Sequence, residues 1–149
     1  MRLIKHVKLK LMKKFLIVLF LTLLFGATVN KISAQTVYYR TTQFAIKYKT
    51  NYGWTNWTNW EKSSMKLKFD LDDDLIIIYS SKIQIYKILS DEGSYVDDSG
   101  GKQQKYFVID QDDDYGYVRL RVEKNGNSQI YIDFNDVMWV YNVVRIVVD

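Results

Sequence analysis

From residue 37 onward, apolar and polar residues alternate with a period of two, and breaks rich in Asp, Asn, Gly and Ser recur at short intervals. The alternation predicts strands over residues 37–48, 54–60, 65–71, 75–80, 83–89, 104–110, 116–123, 128–134 and 137–147. No stretch of this part has a helical period, and neither an internal repeat nor a linker divides it. Short turns between successive strands make an antiparallel meander. A long meander curls to avoid leaving two open edges. The expected fold is all-β, a meander of about 8–9 strands closed into a small barrel or strongly bent into a sandwich. A Greek-key sandwich is the alternative.

Turn lengths set which side chains share a face, because a one-residue change flips every position that follows. With Asn125-Gly126-Asn127 as a three-residue loop, Val122 faces Ile130, Leu120 faces Ile132 and Val118 faces Phe134. Arg119 then opposes Asp133 on the other face, and Arg121 opposes Tyr131. Asn135-Asp136 as a two-residue loop sets Ile132 against Trp139 and Ile130 against Tyr141. Asp72-Asp73-Asp74 as a three-residue loop pairs Phe69 with Ile77 and Leu67 with Tyr79. The inward set expected from these registers is Phe44, Ile46, Leu67, Phe69, Ile77, Tyr79, Ile83, Ile85, Val118, Leu120, Ile132, Phe134, Trp139 and Tyr141. Side chains of that size fill a small barrel. The last strand departs from the pattern. Val140, Val144 and Ile146 are apolar on the face opposite Trp139 and Tyr141, and a strand apolar on both faces is covered on both. A second sheet, loops or another chain could supply that cover, with the sandwich placed ahead of a homo-oligomeric interface through these three residues.

The first 34 residues follow a different logic. Residues 1–14 are basic, Phe15–Asn30 carry no charge, and Ser33 and Ala34 are small. This is the order of a secretory signal peptide, and the apolar run falls short of the ~20 residues a spanning helix needs. Cleavage after Ala34 leaves a single domain over 35–149, exported to the periplasm or beyond and without a stable membrane anchor. The leader holds seven of the 21 basic residues and none of the 17 acidic ones, so the remainder carries 14 against 17, a net of −3. A nucleic-acid partner needs a basic face, so none is expected. The chain has no cysteine, hence neither a disulfide framework nor a lipidated cysteine.

The chemistry available is narrow. The one histidine, His6, lies in the leader. Without His or Cys the domain has no Ser-His-Asp or Cys-His nucleophile and no His/Cys zinc site. No glycine-rich nucleotide loop is present. A carboxylate pair of the glycosidase kind is the remaining enzymatic option. Most aspartates fall in expected turns, where their side chains bond the local backbone. In DQDDDYG the spacing of Asp110, Asp112 and Asp114 follows a calcium loop, but Arg121 stands where the closing Glu is needed. The expectation is no enzyme activity, no cofactor and no metal. The polar stretch 90–104 is expected to be a long loop lying near Asp72–Asp74.

GWTNWTNWEK places Trp54, Trp57 and Trp60 three residues apart. Read as a strand, Trp54 and Trp60 point inward and Trp57 outward; in a three-residue helical turn all three would align. The strand is the expectation, which makes Trp57 the candidate for stacking on a sugar ring or a partner side chain. Arg119, Arg121, Tyr131 and Asp133 form a second candidate patch on the outward face. The leading expectation is an exported, non-catalytic β-domain that contacts another macromolecule, a protein or a glycan. The alternative is a small-ligand carrier of the calycin type with an interior pocket.

Overall fold

The computed structural model describes residues 36–147, and the expected leader lies outside them. Ten strands follow one another: β1 Val37–Thr50, β2 Gly53–Trp54, β3 Glu61–Lys62, β4 Lys66–Asp70, β5 Leu75–Tyr79, β6 Gln84–Val96, β7 Lys102–Ile109, β8 Tyr115–Val122, β9 Ser128–Asp133 and β10 Val137–Ile146. Strands β4 to β10 form a continuous antiparallel meander, and β1 pairs with both β4 and β10. An eight-stranded barrel results, with β2 and β3 added along β1. Closure follows from the length of β1. Its fourteen residues let Val37–Arg40 pair with β4 along one edge, while Tyr38–Tyr48 pair with β10 along the other.

The interior is packed. Leu67, Ile76, Ile78, Val108, Val118, Ile130 and Ile132 have no solvent exposure, and Tyr39, Phe69, Tyr86, Tyr106 and Tyr141 close around them. The phenol of Tyr141 is pushed up to about 12 by burial, and that of Tyr86 further still. Lys68, Lys105, Arg119, Arg121 and Gln129 stand on the outer face. An apolar inside and a charged outside reverse the pattern of a membrane-spanning barrel, where such charges in the lipid belt cost about 2–4 kcal/mol each.

The turns explain which expected faces hold. Asn135-Asp136 is a two-residue turn, and Ile132–Trp139 and Ile130–Tyr141 are paired as expected. The β8–β9 loop has three residues but is Lys124-Asn125-Gly126, with Gly126 in the left-handed region at φ 89°. Sliding the loop by one residue moves partners by two and keeps the faces, so Leu120 pairs with Ile130 and Val118 with Ile132. The Asp72–Asp74 turn corrects the expectation. Asp70 pairs with Leu75, so four residues make the turn, with Asp74 at φ 54°. The extra residue flips β5: Ile76 and Ile78 point inward, while Ile77 and Tyr79 point out. The flip carries into β6, where Tyr86 and Ile88 are the core residues, Ile85 pairs with Ile77 outside, and Ile83 is exposed.

The expected loop at 90–104 is mostly strand. β6 and β7 continue through two register shifts to Val96 and Lys102, leaving a turn at 97–101. The expected strand at 54–60 is irregular apart from its first residue.

Candidate functional site

The tryptophan segment folds back along β1. Thr55 N–H donates to the Tyr48 carbonyl (2.8 Å), and Tyr48 N–H donates to the Thr55 hydroxyl (3.0 Å). Thr58 repeats the arrangement on Ile46, with the same two distances. Each threonine thus satisfies both edge groups of one β1 residue. Three residues of the ribbon span two of β1, a rise of about 2.2 Å per residue against ~3.3 Å in a strand. At that rise the period is near three, so the indoles recur on one side. Lys47 Nζ lies 5.4 Å from the ring centre of Trp54 and 4.8 Å from that of Trp57, which places both rings on its side of the sheet. Trp60 follows at the same interval. The three indoles are 36%, 38% and 45% exposed. The expected inward packing of Trp54 and Trp60 is therefore wrong, and outward Trp57 is right. The sequence offers one signal for the ribbon: Thr55 and Thr58 repeat at the same three-residue interval as the tryptophans.

The ribbon overlooks the outer face of β7, β8, β9, β10 and β1, whose registers stack outward side chains into three rows. Phe107, Tyr117, Asp133, Met138 and Lys47 form the first. Lys105, Arg119, Tyr131, Val140 and Ala45 form the second. Gln103, Arg121, Gln129, Asn142 and Gln43 form the third. Trp57 meets the Tyr131 ring edge-on at 6.2 Å, so it crosses above Ala45 and Val140. Those two outward residues are 0% and 2% exposed. This ribbon, a loop segment of the same chain, covers the apolar outer side of β10 at Val140. Val144 remains 46% exposed beside Arg40, and Ile146 is half-buried beside Tyr38.

The candidate residues converge around Tyr131. The Arg119 guanidinium lies 4.5 Å from its ring centre, opposite the Trp57 contact in the same row. Arg119 donates from Nε and Nη2 to both oxygens of Asp133 and from Nη1 to Gln103 Oε1 (3.1 Å). Burial pulls the guanidinium down, and the Asp133 carboxylate more than offsets it, so Arg119 stays charged. Burial raises the Tyr131 phenol against the opposing charges of Arg121 and Arg119. Its hydroxyl donates to Gln129 Oε1 (2.9 Å).

Arg121 ties the β6–β7 hairpin to this face. It donates to Asp97 Oδ2 (2.7 Å), Ser99 Oγ (2.6 Å), Glu123 Oε1 (2.7 Å) and Gln129 Oε1 (3.2 Å). Asp97 also accepts Ser99 N–H, Gly101 N–H and Gln103 Nε2. The bond to Arg121, then those to Ser99 and Gln103, hold the Asp97 carboxyl well below the usual carboxylate range. The third row continues as a chain of amides, Gln129 Nε2 to Asn142 Oδ1 (3.0 Å) and Asn142 Nδ2 to Gln43 Oε1 (3.2 Å). Asp97, Gln103 and Lys47 are the site residues that sequence reasoning missed, while Gln129 lies in the patch as its spacing predicts. The link of Asp97 to the patch depends on a tertiary pairing across 24 residues to Arg121.

The acidic turns are built from their own hydrogen bonds. Asp110 Oδ1 accepts the N–H groups of Asp112 (2.9 Å) and Asp114 (3.0 Å). Among the described residues no group of three or more His, Cys, Asp or Glu is placed to hold a metal ion. Asp74 and Asp91 do share one shallow hollow at a barrel end, but Asp97 lies away on Arg121. No protein-family model, curated protein or solved structure matches the chain.

Proposed function

We propose that the domain is an exported, non-catalytic binding module that holds a glycan chain across the outer face of β1 and β7–β10. The observation that carries this reading is the exposed row of indoles with Lys47 between two of them, beside the fixed array of Tyr131, Arg119 and the amide chain. Exposed aromatic rings offer apolar faces to the C–H faces of sugars, and Trp, Tyr and Arg dominate binding surfaces generally. Arg119, Gln103, Gln129 and Asn142 are already oriented by one another, so little side-chain entropy remains to be lost on binding. Five strands at ~4.8 Å spacing give a surface roughly 19 Å wide, enough for several sugar rings.

The packed interior weighs against a small-ligand carrier. The hollow at one barrel mouth, lined by Lys82, Ile83, Tyr86, Asp110, Gln111 and Trp139, is only about 150 Å3. The test is affinity electrophoresis against a panel of soluble polysaccharides. Retardation of the native domain, abolished in Trp57→Ala with the thermal midpoint unchanged, is the expected result. Retention unchanged in Trp54→Ala, Trp57→Ala and Tyr131→Ala would refute it. Capture of a protein with no polysaccharide retardation would transfer the surface to a protein partner.

A further inference from the structure

The third row of the outer face does not end at Gln43. Gln43 pairs with Lys62 of β3, so the amide chain leads directly to a lysine. Beside it β1 carries a bulge between Thr41 and Gln43, where the strand exchanges one neighbour, β4, for another, β3. Bulges re-aim side chains and end pairing. Here the exchange leaves a wide, shallow groove open to solvent, lined by Arg40, Thr41, Thr42, Gln43, Lys62, Ser63 and Ser64.

The lining contains two cations, four hydroxyls and no carboxylate. Neither Arg40 nor Lys62 forms an ion pair with a described residue. The nearest acid in sequence, Glu61, pairs with Phe44, which packs on the core; alternation therefore sends Glu61 and Lys62 to opposite sides. Four hydroxyls stand beside these cations. Thr41 Oγ1 accepts Met65 N–H (2.7 Å) and shares a hydrogen bond with Ser63 Oγ (2.7 Å) in which either hydroxyl can be the donor. Ser64 is exposed alongside Ser63. Cations without an ion-pair partner among the described residues, standing beside hydroxyls, form the donor set for an oxyanion, and arginine suits it best through paired parallel bonds.

We infer that this groove binds a tetrahedral oxyanion, and that it does so as the basic end of the outer face, which makes the module's glycan a sulfated one. The second half rests on the glycan reading above; the first does not. A sulfate ester would accept from Arg40, Lys62, Ser63 and Ser64 while the sugar chain runs along the amide row toward Tyr131. Phosphate esters share this chemistry, so the test carries an arm for each.

The experiment begins with inorganic sulfate and inorganic phosphate added to the isotope-labelled domain, followed by amide NMR at constant ionic strength. Saturable shifts confined to Thr42, Ser63, Ser64 and their neighbours are expected, lost in the Arg40→Ala/Lys62→Ala double variant. Shifts that are absent, non-saturable or unchanged in the variant would overturn the site. The second arm compares cellulose sulfate, cellulose phosphate and hydroxyethylcellulose in affinity gels. The expected result is retardation by the sulfated polymer at least tenfold stronger than by the other two, falling to the neutral level in the double variant and in high salt. Preference for the phosphorylated polymer, or equal retention by all three, would overturn the sulfated ligand. Retention that depends on Arg40 and Lys62 but survives Trp57→Ala would keep the groove and refute the tryptophan surface.

Discussion

Ile76 and Ile77 are adjacent and chemically identical, yet the four-residue turn before them sends one into the barrel and the other onto its surface. Ile76 has no exposure and packs with Phe69 and Tyr86, its partners on either side; Ile77 is half-buried on the outer face opposite Ile85 and Lys68. Truncation to alanine removes three carbons, worth roughly 2.4 kcal/mol at ~0.8 per buried group. At Ile76 the residual cavity adds to this, for about 3–4 kcal/mol in all. At Ile77 one side already meets water and no enclosed cavity forms, so the cost is about 1 kcal/mol. Urea denaturation followed by circular dichroism separates the two. With a slope of about 2 kcal/mol/M, the midpoint should fall by roughly 1.5–2 M for Ile76→Ala and about 0.5 M for Ile77→Ala. An Ile77→Ala loss equal to or larger than that of Ile76→Ala would refute the reasoning. It would mean that the turn has three residues and that β5 faces the other way.

Replacing Thr55 and Thr58 together by valine keeps their shape but removes the acceptors of Tyr48 N–H and Ile46 N–H. About 1 kcal/mol should be lost per hydroxyl, together with the Trp57–Tyr131 contact, read as a shift in tryptophan fluorescence. At the alkaline end, the Tyr141 phenol is raised by burial to about 12 in the folded state, against an ordinary value of about 10 when unfolded. The neutral form is the one the fold favours, so this contribution is complete below about pH 10 and is lost as pH rises from there toward 12. Stability measured by urea at pH 9 and pH 11 should therefore fall in the native protein, and fall less in Tyr141→Phe.

Much of the fold was legible because alternation is a local property. Strands β8 and β9 carry unbroken apolar–polar alternation and β10 follows a turn of only two residues, so parity alone assigns Ile132 and Trp139 to one face and Arg119 and Asp133 to the other. Leu75-Ile76-Ile77-Ile78 has no such alternation: four apolar residues in a row satisfy either face equally. There the choice passed to the turn, where Asp74 takes a left-handed conformation that adds one residue. The candidate patch was legible in part for the same reason. Residue spacing placed Arg119, Arg121, Tyr131 and Asp133 on the outside, but which groups orient them was set elsewhere in the chain. Asp97 reaches Arg121 only because β6 and β7 remain paired out to their tip. The tryptophans depended most on tertiary structure. A strand and a three-residue ribbon are both compatible with WTNWTNW taken alone. The ribbon prevails because the outer edge of β1 leaves the N–H groups and carbonyls of Ile46 and Tyr48 to be satisfied, and two threonines at the right interval satisfy both.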